Sequence, residues 1–147
     1  MIVTPNLLEL EIIGLSSSDL TDRKEDRVML VQTYNYWKDL TTVLKNAKTG
    51  PHSCNVLVLE LPENELWASE VIAYINSTGY GPISLTAQVL LNVQHPLLAK
   101  SHPNFFFIED QGTDICGAMW REGKPGEVVR RFSHRYGRGC FVPVIAV

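Results

Sequence analysis

The chain has 147 residues, 45% of them apolar and 20% charged, and a formal net charge of −3. That length reads as a single domain over 1–147, large enough to bury about 68–70% of its unfolded surface without help from a metal or a disulfide. The composition excludes a helical membrane span, since no apolar run reaches about 18 residues, and a strongly basic nucleic-acid binder.

The opening stretch "MIVTPNLLELEIIG" shows neither a basic n-region nor a cleavage site, so the expectation is no signal peptide and a cytoplasmic protein. Leu8, Leu10 and Ile12 alternate with Leu7 and Ile13, which predicts a strand over 7–14 ended by Gly14. Residues 15–26 are polar and turn-rich. Residues 27–34 read as a strand, because "VMLV" is apolar on both faces and Gln32-Thr33-Tyr34 favours β-structure; a helix reaching back to Asp22 is the alternative. Trp37, Leu40, Leu44 and Ala47 then follow helical spacing, with Gly50-Pro51 as the stop.

"CNVLVLELP" predicts a strand over 54–62. Over 64–79, Trp67, Ala68, Val71, Ile72 and Ile75 form one stripe, Asn64 caps and Gly79 stands at C′, which predicts a helix. In 83–96, apolar and polar residues alternate from Leu85 to Gln94 with one exception at Leu90. The expectation there is a half-exposed strand, followed by a short helix in "PLLAKS" opened by Pro96. The remainder reads as a meander: strands in "NFFFIED" and "DICGAMWRE", a type II turn centred on Pro125-Gly126, a strand in "EVVRRFSHRY", a turn at Gly137 and Gly139, and a last strand in "CFVPVIAV". That last strand is apolar on both faces, so it is read as buried on both sides. Pro143 then asks for an edge position or a bulge, since it has no N–H for the ladder. Together these elements give an α+β fold: a curved, mostly antiparallel sheet of about seven to eight strands with two main helices packed on one face.

The densest chemistry lies in "EVVRRFSHRYGRGCF", 127–141. On a strand, Val128, Arg130, Phe132, His134 and Tyr136 share one face, and Val129, Arg131, Ser133 and Arg135 share the other. An apolar face that carries a guanidinium and an imidazole must pair them or open them to a cavity. A purely structural account pairs Arg130 with Glu122 across the hairpin and hydrogen-bonds His134 in the core. A functional account makes Arg130, His134, Arg135, Tyr136 and Trp120 the lining of a site for a small anionic ligand.

Elsewhere the signals are weaker. The cysteines Cys54, Cys116 and Cys140 are odd in number and lack CxxC spacing, so they read as small buried thiols. His95 and His102, in two His-Pro pairs, lack further ligands at metal-site spacing and read as turn residues, with no metal and no cofactor expected. Residues 1–75 hold 11 acidic and 6 basic side chains, and residues 76–147 hold 5 and 7. The C-terminal third is thus the better home for an anion.

Three functions compete. The first is a binding module for a small ligand or a protein partner, with a homodimer formed through the C-terminal strand. The second is a metal-independent phosphodiesterase or ribonuclease. It would use His134 and Glu122 as its acid–base pair, and its substrate would be a nucleotide or short oligonucleotide because long nucleic acid needs more positive charge. The third is an inhibitor or immunity-type protein that masks a basic partner with its acidic N-terminal half.

Overall fold

The computed structural model describes residues 7–15, 49–62, 68–110, 114–121, 124–129 and 139–146. In chain order the elements are β1 (Leu7–Leu15), β2 (Thr49–Glu60), α1 (Ala68–Ser77), β3 (Tyr80–Pro82), α2 (Leu85–Gln94), α3 (Leu98–Ser101), β4 (Asn104–Asp110), β5 (Asp114–Arg121), β6 (Lys124–Val129) and β7 (Phe141–Ala146). The strands form one sheet in the order β1-β2-β7-β4-β5-β6, with β3 also pairing β7. Every pairing is antiparallel except the single bridge of Asn104 with Phe141 between β4 and β7. The class is α+β with an antiparallel sheet, as expected. None of the described helices is long and apolar enough to cross a membrane.

Strand alternation assigns the two faces of the sheet. From β2, Leu57, Leu59 and then Leu61 pack in a cluster with Val71 and Ile75 of α1, Phe105, Val142 and Val144. Cys54, Val56 and Val58 belong to a second cluster with Ile12, Leu15, Ala87 and Leu91 of α2 and Leu98 of α3. Successive strand residues point to opposite faces. Hence α1 covers one face, and α2 with α3 covers the other. The second face is thus covered by helices that were not among the two main ones expected. The first of the two expected helices, and the strand or helix at 27–34, lie outside the described residues.

β7 shows both faces at once. Val142 and Val144 enter the α1 cluster, and Phe141 and Ile145 pack against the α2 cluster. The strand is therefore buried on both sides, as its unbroken apolar run implies. It is also central: β2 pairs along one side, and β3 and β4 share the other.

Pro143 tolerates this central position for a local reason. Phe141 donates its N–H to the Pro103 carbonyl on the β4 side. Alternate residues point their N–H groups the same way, so the missing N–H of Pro143 falls on that side too. There β4 pairs only at Phe141 and β3 begins at Val144, so no ladder is interrupted.

Three expectations need correction. Residues 85–94 are the helix α2, not a half-exposed strand. Ser84 caps it, accepting the Ala87 N–H at 3.0 Å. The period-two count took polar residues as solvent-facing, yet Thr86, Gln88 and Asn92 are buried. Gly50 and Pro51, read as a helix stop, lie inside β2, and the helix read before them lies outside the described residues. In β2, Thr49 and His52 both oppose Leu15, and this bulge absorbs a residue that cannot donate. The third concerns Pro125 and Gly126, which sit within β6 while the hairpin closes between Arg121 and Lys124. The turn as read would set Glu122 opposite Val129, but Val129 pairs with Gly117.

The strand at the N-terminus runs as expected and continues through Gly14 to Leu15. Gly14 has φ +84° at the register shift beside Ile13, a conformation that L side chains rarely adopt. α1 ends near where it was read to, with Gly79 at φ +83° two residues past Ser77.

Candidate functional site

Arg130, His134, Arg135 and Tyr136 lie outside the described residues, and so does Glu122. Trp120 is in β5, where its backbone partner is Asn104. What the described residues bring together lies elsewhere, around the two His-Pro pairs. A hollow with a volume of about 410 Å³ opens between β1 and the α2–α3 connection.

Its construction follows from the chain. The even positions of β1 face α2, so Leu8 and Leu10 form one wall. α2 ends at Gln94, and His95 takes the C-cap, donating its backbone N–H to the Leu91 carbonyl at 2.9 Å. Pro96 follows, and the chain re-enters a single helical turn, α3, which ends with His102 as C-cap. Leu97 and Leu98 therefore stand at the mouth and the floor. Leu98 is buried, whereas Leu97 is 77% exposed.

The polar groups around the hollow are held by β1. β1 ends the sheet, so the outward backbone groups of its odd residues have no strand beside them among the described residues. Ile13 N–H donates to Gln94 Oε1 at 2.9 Å, and Gln94 Nε2 donates to the Ile13 carbonyl at 2.8 Å. The side-chain amide thus imitates one rung of a neighbouring strand. One residue pair further along, His95 Nε2 lies 2.8 Å from the Glu11 carbonyl. A carbonyl only accepts, so Nε2 carries the hydrogen and Nδ1 is the nitrogen left over.

At the other end, Ser101 Oγ and His102 Nδ1 are 2.7 Å apart and share one proton. The His102 ring packs tilted at 56° on Phe141, with centroids 4.6 Å apart. That contact fixes the imidazole and leaves Nε2 as its uncommitted nitrogen. None of the residues lining the hollow is acidic.

Behind the hollow, three carboxamides lock α2 to the start of β4. Asn92 Nδ2 donates to Asn104 Oδ1 and Asn104 Nδ2 donates to Asn92 Oδ1, both at 2.8 Å. Gln88 Nε2 adds a bond to Asn104 Oδ1 at 3.2 Å. Asn104 Nδ2 also donates to the His102 carbonyl at 3.1 Å, which ties the network to the rim. Gln88, Asn92 and Asn104 are at most 3% exposed, so these bonds satisfy groups that would otherwise be expensive to bury.

Sequence reasoning took His95 and His102 for turn residues. They are helix-ending turns, and they also line this hollow. The available signal was the bracket itself: two His-Pro pairs seven residues apart enclose one short helix. Apart from that site, Cys54 is a half-buried thiol whose pKa is pushed up by burial. No family model, curated protein or solved structure matches the chain.

Proposed function

We propose that this chain is a small-ligand-binding module whose site is the hollow between β1 and the α2–α3 connection. One observation carries the reading: a concave space of about 410 Å³ lined by leucines together with His95 and His102. Ligand sites are commonly clefts of about 300–1,000 Å³, mostly apolar, with a few placed polar groups. The leucines supply affinity by removing apolar surface from water, roughly 25 cal/mol per Å². The imidazoles supply orientation, and both are positioned by bonds the ligand does not have to form. His95 is fixed by the Glu11 carbonyl, and His102 by Ser101 and Phe141. Such preorganisation leaves less entropy to lose on binding.

The test is a fragment screen followed by amide chemical-shift mapping. The reading expects hits that move the backbone signals of Leu8, Leu10 and residues 94–102 together. A screen without hits, or hits that move only other parts of the sheet, contradicts it.

A further inference from the structure

The hydrogen-bonding inventory of the hollow narrows its ligand. Gln94 spends both ends of its amide on Ile13, and His95 spends Nε2 on Glu11. What remains for a ligand is His95 Nδ1, which carries no hydrogen and accepts, and His102 Nε2, which donates when Ser101 Oγ gives its hydrogen to Nδ1. No carboxylate lines the space. The nearest acids in sequence, Glu9 and Glu11, are exposed odd-numbered residues of β1 and point to the opposite sheet face from Leu8 and Leu10. The one formal charge on α3 is Lys100, which is exposed. A cationic head group would find no counter-charge among the lining residues, whereas an anionic one meets two imidazoles.

Resting on the binding reading above, we propose that the ligand is an amphipathic monocarboxylate. Its chain lies against Leu8, Leu10 and Leu98, and its carboxylate is held by His95 and His102. One carboxylate oxygen accepts the His102 Nε2–H, and the other meets His95 Nδ1 through a proton taken up with the ligand, because that ring's own hydrogen is on Nε2; a bond to a charged acceptor is stronger than a neutral one.

The experiment measures Kd for hexanoate, heptanoate and octanoate, and for octanol and octylammonium, by NMR titration of the whole chain. Affinity is expected to rise roughly fourfold per added methylene, as about 0.8 kcal/mol per buried CH₂ converts. Octanoate is expected to bind about tenfold tighter than octanol, the margin of a charge-assisted over a neutral hydrogen bond. It should also outbind octylammonium. In the double variant His95→Gln/His102→Gln the preference for the carboxylate should vanish while the chain-length dependence stays. Equal affinity for the three octyl compounds overturns the carboxylate and leaves the hollow as a binding site. A preference that survives the double variant also overturns it. Failure of every compound to bind removes the carboxylate and the hollow together.

Discussion

The reciprocal pair of Asn92 and Asn104 is the residue-scale feature with the largest structural consequence. Each amide is both donor and acceptor to the other, and both are buried. Asn104→Ala removes one partner and strands the other, and an unsatisfied buried polar group costs about 1–3 kcal/mol. With the Gln88 bond lost as well, the expected destabilisation in urea unfolding is about 2–4 kcal/mol. The double variant Asn92→Leu/Asn104→Leu should lose less than the sum of its two singles, because neither amide is then left alone. Additive losses would show that the two amides act independently.

Cys54 gives a second test at this scale. Burial holds its thiol in the neutral form to higher pH, and the thiolate is the reactive species. Its alkylation by iodoacetamide should therefore run slower than that of a free cysteine at the same pH between about 7 and 9. Equal rates would contradict the burial.

At the scale of elements, α2 shows why part of the fold was legible and part was not. β1 was readable because its polar alternates, Glu9 and Glu11, do face water. β7 was readable because an apolar run covered on both faces contains no alternation to misread. The end of α1 was readable from Gly79, whose positive φ few other residues adopt. α2 defeats the same logic, since Gln88 and Asn92 are buried amides one helical turn apart. Periodicity reports solvent contact, and here polarity does not mean solvent.

The discriminating signal was Ser84, a capping residue directly before a run rich in helix formers. Ser84→Ala should cost about 1 kcal/mol, typical of a lost N-cap, measured by denaturation. No loss would remove the cap from the account. The Pro125-Gly126 turn failed because a dipeptide that suits a turn is also admissible in a strand at the sheet's end, where β6 lies. The arginine- and histidine-rich stretch at 130–138 lies outside the described residues.

For the whole molecule, the sheet has a protected middle and two ends. β2 and β7 have strands on both sides and side chains from both clusters, whereas β6 has one neighbour among the described strands. Backbone amides in the middle open only with global unfolding, while those at an edge open locally. Hydrogen exchange should be slowest in Val56–Leu59 and Val142–Val144 and faster in β6; the reverse order would contradict the sheet order.

The other end, β1, is where structure and proposed function meet. The same edge whose outward groups Gln94 and His95 occupy also forms the leucine wall of the hollow.

The most direct test of the central claim is to fill that hollow and measure binding. Leu10→Trp places a larger ring into it from β1, and Ser101→Trp does so from an exposed position on α3 that carries no core packing. Octanoate titrations of both variants, with circular dichroism to check that the fold is kept, should show binding lost in at least one folded variant. Unchanged octanoate affinity in both, with the fold intact, would contradict the assignment of the hollow as the binding site.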